Sequence, residues 1–413
     1  MRTRMMPMFK ATTHRYPAVL LALVNILAFA WLYVSKGFSV QIIYAALLTL
    51  ALFLIIYAII IKANMGDKYI VLIAAMLMSF GEIMLCRINP ELALKQIVWI
   101  ALGGIIFFGC YVIYRNIWFW DKMWFIYFAA GLGLFIVTAL YGTTVGGAKN
   151  WLSVKGFTFQ PSEIIKVLFA LSLACYCSGS RMKPLNRIAP KYTALFVTYS
   201  FICFLIFQRE WGTMILLFAI YLAVMYVYEK DFRFLLFNLA GAVVIGLLGH
   251  KFLHHIQVRV AVWINPWSDI SDTGYQVTQS LFAIISGGFF GKGLGNGHPY
   301  YIPEVHSDFI FSAICEEMGI FGGVAVILLF FLLAYRCFRI CIAARDKFDK
   351  GLALGLSLTF AFQTFIIIGG VINAIPLTGI TLPFVSYGGS SMLSSFASLG
   401  IMQAISRGAD DYD

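Results

Sequence analysis

The chain has 413 residues, of which 61% are hydrophobic and only 12% are charged. A soluble domain carries about 25% charged residues, so this composition excludes an ordinary soluble protein. The formal net charge of +11 comes from basic residues spread over several short loops. Nucleic-acid binding needs such residues on one exposed surface, so we expect no nucleic-acid partner.

Apolar runs of about 18 residues or more recur along the whole chain, and each is long enough to cross a bilayer as a helix. The sequence therefore predicts an all-α, polytopic integral membrane protein with about 12 transmembrane helices. These lie near residues 17–35, 39–61, 69–86, 96–114, 124–141, 163–179, 192–207, 211–228, 234–251, 309–335, 351–371 and 382–405. The only long connection is residues 254–307.

The orientation follows from the basic residues in the short loops. Lys and Arg concentrate between residues 181 and 191 and between residues 336 and 350. Because cytoplasmic loops carry an excess of Lys and Arg, we expect both termini in the cytoplasm, with residues 408–413 as a short tail. The long connection then lies on the extracytoplasmic side.

Lys149 and Trp151 precede the sixth span and are candidates for the membrane surface. A lysine there can meet an anionic phosphate, and a tryptophan is amphipathic enough to sit at the interface. Gly146 and Gly147 before them permit unusual backbone torsions. Anchoring at the interface is the alternative role for both side chains.

Glu163 and Lys166 form a predicted charged pair inside the sixth span. They are three residues apart, so they share one helix face and can pair. An ionised side chain at mid-bilayer costs about 2.5–3.5 kcal/mol, so it is usually paired, water-exposed or functional. Two interpretations stay open: a neutralised pair that only holds the helix, and the charged wall of an outward cavity.

The long connection contains Arg259 and a run of apolar positions over residues 275–286 that is typical of an interfacial or re-entrant helix. Six glycines follow between Gly287 and Gly297. Glycine is conformationally permissive, so we interpret this segment as a flexible hinge.

Asp308 is the last polar residue before the tenth span. A carboxylate at the membrane boundary, partly desolvated and near a basic group, can serve as a general base. An N-cap of the following helix is the alternative. His306 is either a ligand or acid/base group, or merely hydrogen-bonded.

Residues 373–391 contain Pro376, Pro383 and three glycines, which interrupt the helix near the outer surface. Broken backbone at membrane depth is tolerated where it lines protein or a wet cavity. Small residues also permit close helix contact, so a packing role alone is the alternative.

These motifs, in this order, resemble those of the RodA/FtsW/SpoVE (SEDS) family. Residues 376–391, called the signature segment below, resemble the family signature. The other landmarks are Gln160-Pro161-Ser162-Glu163, Asn265-Pro266-Trp267 with Gly274-Tyr275-Gln276, and Pro303-Glu304-Val305-His306-Ser307-Asp308-Phe309. The resemblance implies a ten-helix SEDS glycosyltransferase core over residues 69–407. It leaves residues 1–68 as an extra N-terminal pair of helices.

The resemblance further implies a peptidoglycan glycosyltransferase that polymerises lipid II at the outer face of the cytoplasmic membrane, for cell elongation or division. Its implied partners are a class B penicillin-binding protein, which is a transpeptidase, and other elongasome or divisome membrane proteins. The short tail favours the RodA-like type. A lipid II flippase and a non-catalytic scaffold for the penicillin-binding protein are the alternatives. A transporter needs access from both faces, whereas the polar features here cluster outward.

In this interpretation Asp308 is the catalytic residue. The candidate substrate-binding residues are Lys149, Trp151, Glu163, Lys166, Arg259, His306 and Ser386. A divalent cation, Mg²⁺ or Mn²⁺, is expected to stabilise the departing diphosphate, and Asp308 and Glu304 are its candidate ligands. Glu210 stands where relatives usually carry Asp followed by Leu, which leaves the role of that carboxylate open.

Overall fold

The computed structural model describes residues 15–36, 39–145, 147–154, 157–179, 189–229 and 231–410. These residues form 14 α-helices: α1 (Arg15–Ser35), α2 (Val40–Lys62), α3 (Lys68–Ile88), α4 (Pro90–Asn116), α5 (Trp124–Tyr141), α6 (Pro161–Cys177), α7 (Pro190–Phe207), α8 (Trp211–Tyr228), α9 (Phe232–Phe252), α10 (His254–Ile264), α11 (Tyr275–Gly287), α12 (Ile310–Ala343), α13 (Lys347–Val371) and α14 (Gly389–Asp410). Short 3₁₀ turns lie at Trp120–Lys122, Pro266–Asp269 and Pro299–Tyr301.

Ten helices in the described part of the chain are long and apolar enough to cross a membrane. The other two predicted spans correspond to α6, with 17 residues, and α14, with 22. Both helices carry polar side chains because protein surrounds them. Nearly every residue of α6 is buried, and so are Ser394 and Ser398 of α14. The prediction of an all-α, multi-pass membrane protein is confirmed.

The interior of the bundle is built around α13, which packs against α6, α8 and α12. Helix α14 packs against α4 and α6, and α3 packs against α12. Helix α9 lies at the periphery, since only 6% of the residues in its most apolar stretch are buried, against 83% for α13. Helices α6 and α13, which carry the buried Glu163, Lys166 and Gln363, therefore lie in the centre of the bundle.

The N-terminal pair α1 and α2 packs against α3, and α2 also reaches α4. A buried hydrogen bond from Asn25 Nδ2 to Ser79 Oγ, 2.8 Å long, ties α1 to α3. At the other end of α1, Trp31 Nε1 donates to Leu294 O at 2.8 Å. The pair is thus attached to the rest of the bundle at two levels.

The long connection over residues 254–307 is largely helical, with α10 and α11 in it. The helix predicted over residues 275–286 is confirmed by α11, whose buried face packs against α12. The interpretation of the glycine-rich segment as a flexible hinge is wrong. Helix α12 is broken at Gly319, where φ is 69° and ψ is −170°, and the segment fits into that break.

The close fit explains why glycines are needed on both sides of the break. A Cβ on Gly291 would lie 2.1 Å from the Glu317 carbonyl oxygen, and one on Gly319 would lie 2.3 Å from the Phe289 carbonyl oxygen. The amide of Gly293 donates to Glu317 O at 3.0 Å. The loop therefore supplies hydrogen bonds that the interrupted helix lacks.

One other prediction is wrong, and one element was not predicted. The last span was expected from residue 382, but α14 begins at Gly389 because the signature segment before it is not helical. A small antiparallel sheet between α5 and α6, with the order β1-β2-β3, was not expected at all: β1 is Thr143–Val145, β2 is Ala148–Val154 and β3 is Phe157–Phe159. Most of the basic set after residue 180, and residues 411–413 of the tail, lie outside the described residues.

Candidate active site

Asp308 lies immediately before α12 but does not cap it. The N-cap is Phe309, and the structure shows no side-chain capping hydrogen bond there. The N-cap interpretation of Asp308 is therefore wrong. Among the described residues, none donates a hydrogen bond to the Asp308 carboxylate, although the residue is half-buried. Its acceptor capacity is left for water or a ligand.

The backbone around Asp308 is held by the signature segment. The amide of Tyr387 donates to His306 O at 2.8 Å, and Ser386 Oγ donates to Ser307 O at 2.5 Å. The His306 ring also packs edge-on against Tyr387, with 5.7 Å between ring centroids. Two consecutive residues of the signature segment thus fix the two residues before Asp308.

The carboxylate itself faces a glycine of the same segment. A Cβ on Gly379, which has φ of +70°, would lie 3.6 Å from Asp308 Oδ2. Two residues earlier, Leu377 O accepts a 2.6 Å hydrogen bond from Arg259 Nη1 of α10. The signature segment therefore brings Arg259 towards Asp308, and the two charges interact electrostatically.

Burial raises the pKa of the Asp308 carboxyl to about 7, and the negative charge of Glu304 adds to the rise, while Arg259 opposes it. A general base works best when its pKa lies near the operating pH, because it is then sufficiently basic while a large fraction of it is still unprotonated. Asp308 thus combines a carboxylate that receives no hydrogen bond from the described residues, a nearby cation and a pKa suited to proton transfer.

Glu163 and Lys166 form a buried ion pair in α6, with 2.8 Å between Lys166 Nζ and Glu163 Oε2. Ser394 Oγ donates to Glu163 Oε2 at 2.6 Å, and Lys166 Nζ donates to Gln363 Oε1 at 2.9 Å. The predicted pairing is confirmed. Both charges are satisfied by protein groups, and the pair lines a small cavity together with Thr359.

Lys149 and Trp151 both lie on β2. Lys149 Nζ donates to Ala139 O near the end of α5 at 2.6 Å, where a cation complements the helix dipole. Trp151 pairs with Thr143 of β1. Lys149 therefore contacts α5 and Trp151 contacts the neighbouring strand, and the roles of both residues in substrate binding stay predictions.

Glu210 precedes α8 and is buried. Its Oε1 atom accepts hydrogen bonds from Gln160 Nε2 at 2.7 Å and from Ser162 Oγ at 3.2 Å. Burial raises the pKa of its carboxyl. Glu210 therefore ties the turn before α8 to the start of α6, which gives this carboxylate a structural explanation.

The candidate metal ligands, Asp308 and Glu304, suit a cation that substrate phosphates also coordinate better than one that the protein holds alone. The distance from His306 Nε2 to Glu304 Oε2 is 3.7 Å. No group of three or more His, Cys, Asp and Glu side chains within the described ranges is arranged to hold a metal ion. Mg²⁺ commonly takes one or two carboxylates and completes its shell with substrate phosphates and water, and the free Asp308 carboxylate suits that mode.

Sequence reasoning missed several buried polar groups. Gln96 Nε2 donates to Ser386 O at 3.1 Å, and Gln363 Nε2 donates to Thr381 O at 2.8 Å. Arg87 of α3 pairs with Glu317 of α12 at 2.8 Å. The available signal was the cost of polar groups inside apolar spans, which applies to each of them as much as to Glu163.

A protein-family model described as cell cycle protein, FtsW/RodA/SpoVE, matches residues 83–411. The chain belongs to this family. The match begins near the end of α3, so α1 and α2 precede it. The resemblance read from the signature segment and the other motifs is confirmed.

Curated FtsW/RodA/SpoVE relatives match most of the chain. The peptidoglycan glycosyltransferase RodA of Mycobacterium tuberculosis is 33% identical, and the match covers 83% of this chain and 78% of the relative. The probable peptidoglycan glycosyltransferase FtsW of a Geobacter species is 32% identical, with 83% and 98% covered. Stage V sporulation protein E of Bacillus subtilis is 30% identical, with 84% and 98% covered.

Solved structures show the same fold. A chain from a peptidoglycan synthase complex, whose structure is described in terms of coordinating polymerization and crosslinking, aligns with a TM-score of 0.70 at 25% identity, covering 83% of this chain and 98% of the other. The Rod shape determining protein RodA of Thermus thermophilus aligns with a TM-score of 0.62 at 25% identity, covering 84% and 98%.

Proposed function

We propose that this chain is a peptidoglycan glycosyltransferase that polymerises lipid II into glycan strands, with Asp308 as the catalytic residue. The observation that carries the proposal is the Asp308 carboxylate, which the described residues leave without a hydrogen-bond donor while the signature segment holds its backbone. The names of the curated relatives support the reaction class.

In the proposed reaction, the 4-hydroxyl oxygen of one lipid-linked sugar attacks the anomeric carbon of another. A carbon–oxygen bond forms at that carbon, and its bond to the diphosphate oxygen breaks. The leaving lipid diphosphate takes the electron pair, and the hydroxyl proton passes to the Asp308 carboxylate, which later releases it to water. General base catalysis of this kind contributes roughly 10²–10⁴-fold.

Arg259 supplies positive charge beside this carboxylate, and its guanidinium is held by Leu377 O at 2.6 Å. Guanidinium groups bind phosphate oxygens through several donors in a fixed geometry, so Arg259 is the residue we assign to the diphosphate. When bound, Mg²⁺ or Mn²⁺ would supply further charge to the departing diphosphate. Asp308 and Glu304 are the residues that would hold it, and for Asp308 this role is the alternative to that of the base. Lys149, Trp151 and His306 complete the proposed substrate contacts.

We also propose that the site faces the extracytoplasmic side and that a class B penicillin-binding protein is the partner. The positive-inside pattern supports the orientation. The likeness to a chain from a peptidoglycan synthase complex supports the partner. Cross-linking would then follow polymerisation on the same membrane face.

The test of the reaction uses purified protein, labelled lipid II and divalent cation, with and without the penicillin-binding protein. Wild type should form oligomeric glycan, and Asp308→Asn should lose roughly 10²–10⁴-fold of the rate. Translocation of lipid II in vesicles without polymer would indicate a flippase, and neither activity would indicate a scaffold. Normal polymerisation by Asp308→Asn would remove the carboxylate from the mechanism.

The orientation is tested by labelling in intact cells with a membrane-impermeant maleimide. Ser268→Cys, exposed after α10, should react, and Lys62→Cys, exposed at the end of α2, should not. The chain without either added cysteine gives the baseline for its native thiols. The reverse pattern would place the site on the cytoplasmic face and contradict the proposal.

A further inference from the structure

Gln363 of α13 is a buried glutamine, 2% exposed, whose amide makes one hydrogen bond at each end. Its Oε1 atom accepts from Lys166 Nζ at 2.9 Å, and its Nε2 atom donates to Thr381 O at 2.8 Å. Gln363 thus connects the buried ion pair of α6 to the backbone of the signature segment. Through this connection, the ion pair and Gln363 can influence Asp308 without contacting it.

Gln96 of α4 makes the corresponding contact on the other side of the segment. Its Nε2 atom donates to Ser386 O at 3.1 Å, and its Oε1 atom accepts from the amide of Gly388 at 3.4 Å. Gln96 is also 2% exposed. The two glutamines therefore hold the turn formed by residues 381–388 from two different helices, α4 and α13.

This turn has little regular backbone structure of its own. It lies outside any helix or strand, and Phe384 within it has φ of 64°. Its internal bonds include Val385 N to Leu382 O at 3.2 Å and Leu382 N to Ser386 Oγ at 2.9 Å. A buried carbonyl without a donor is costly, so the glutamine donors to Thr381 O and Ser386 O stabilise one conformation of the turn.

The turn directly contacts the two residues before Asp308. Ser386 Oγ and Tyr387 N are the donors that hold Ser307 O and His306 O. We propose that Gln96 and Gln363 are positioning residues, which set the location of the Asp308 carboxylate through the turn of residues 381–388. The inference rests on the proposed function, because it assumes that Asp308 acts on the substrate.

The chemistry of the amide explains why glutamine suits this place. An amide is a donor and an acceptor at once, so one side chain bonds both to a cation and to a carbonyl, or to a carbonyl and an N–H. It carries no charge, so burial costs less than it would for a carboxylate or an ammonium group. In this arrangement the Glu163–Lys166 pair orients Gln363.

The test compares Gln363→Met and Gln96→Met with a matched control, Gln403→Met. Gln403 is also buried, and its Nε2 atom donates to Met65 O at 2.7 Å, so the control loses the same kind of bond away from the site. Rates are measured per folded molecule, from the monodisperse fraction, together with melting temperatures. A reacting group displaced by about 1 Å costs roughly 10²-fold.

We expect both site variants to lose about tenfold to a hundredfold in kcat, with KM for lipid II within about twofold of wild type because the substrate contacts remain. The control should keep its kcat even though it melts at a lower temperature. Combined with Ser386→Ala, Gln363→Met should show less than the product of the two single losses, because both interrupt one path. Gln403→Met should combine with Ser386→Ala multiplicatively.

Two outcomes would overturn the inference. If the site variants melt lower but keep wild-type kcat, the glutamines are structural only. If KM rises while kcat stays unchanged, they bind substrate and do not position Asp308. Should Gln363→Met fail to fold, Gln363→Asn replaces it, since the shorter amide keeps polarity but cannot span both partners. Failure of wild type to polymerise would reject the proposed function instead.

Discussion

Two sets of carboxylates near the start of α12 have opposite surroundings. Asp308 has no hydrogen-bond donor among the described residues. Glu317 pairs with Arg87 at 2.8 Å and accepts from the amide of Gly295 at 2.9 Å. Glu316 accepts from Lys292 Nζ at 2.7 Å and from the amide of His298 at 3.0 Å. One carboxylate is left available, and two are occupied by the glycine-rich loop.

The comparison shows that carboxylates close together at the start of α12 can have different roles: Asp308 suits catalysis, whereas Glu316 and Glu317 stabilise the structure. A buried carboxylate that has a cation and a backbone donor stabilises a fold only as long as both partners remain, and removal of one partner leaves an uncompensated charge. A buried carboxylate without donors does not stabilise the fold, and its ionised form opposes folding. It keeps a high affinity for a proton, which is what a general base requires.

The largest effects are expected from matched substitutions in the two sets of carboxylates. Asp308→Asn should reduce the polymerisation rate by roughly 10²–10⁴-fold without lowering the melting temperature, because the carboxylate accepts no hydrogen bond from the residues that the structure describes. Glu317→Gln should lower stability by about 3–5 kcal/mol, since Arg87 loses its counter-charge, while the rate per folded molecule stays near wild type. Thermal melting in detergent and a polymerisation assay measure both. A stability loss in Asp308→Asn would contradict the comparison.

The dependence on pH should follow from the raised pKa of Asp308, about 7. The base acts when unprotonated, so kcat/KM should fall about tenfold per pH unit below 7 and level off above it. The effect on stability has the opposite sign. A raised pKa favours the folded protein at low pH, and this contribution is lost as the pH rises through 7. Both trends should be absent in Asp308→Asn, and an acid limb that persists in residual activity would assign it to another group.

A smaller effect is expected when the hydrogen bond between the signature segment and the residue before Asp308 is removed. Ser386→Ala removes the 2.5 Å bond to Ser307 O. One net hydrogen bond is worth about 0.5–1.5 kcal/mol, so the rate should fall roughly threefold to tenfold. Ser398→Ala, which removes a 2.9 Å bond to Ser394 O inside α14, is the matched control and should keep its rate. Equal losses in the two variants would argue against a specific role of Ser386.

The smallest effect should come from the N-terminal pair. Trp31→Phe removes the 2.8 Å bond from the indole to Leu294 O, at an exposed position. We expect a stability change of at most about 1 kcal/mol and an unchanged polymerisation rate, because the Arg87–Glu317 pair still holds the loop. Melting curves and lipid II assays on the same preparation measure this. A large loss of activity would mean that α1 acts on the site.

Much of the fold follows from the sequence, because long apolar runs are a local signal. The Glu163–Lys166 pair was predictable for the same reason, since its partners are three residues apart. Arg87 and Glu317 are partners only in the folded bundle, so no local pattern announces them. The hairpin before α6 was missed because its strands contain only three to seven residues. Pro383 is a local signal for the non-helical start of the last predicted span, whereas the contacts of Gln96 and Gln363 that hold this segment come from distant helices.

The interlocked glycines at the break in α12 have a consequence for how this sequence tolerates change. Gly291 and Gly319 occupy the same narrow gap, since a Cβ on Gly291 would lie 2.6 Å from the Gly319 nitrogen, and one on Gly319 would lie 2.4 Å from the Gly291 nitrogen. Any side chain at either position forces the loop and the helix apart. Once they are separated, a second side chain meets less resistance, so the two positions behave as a single unit under mutation.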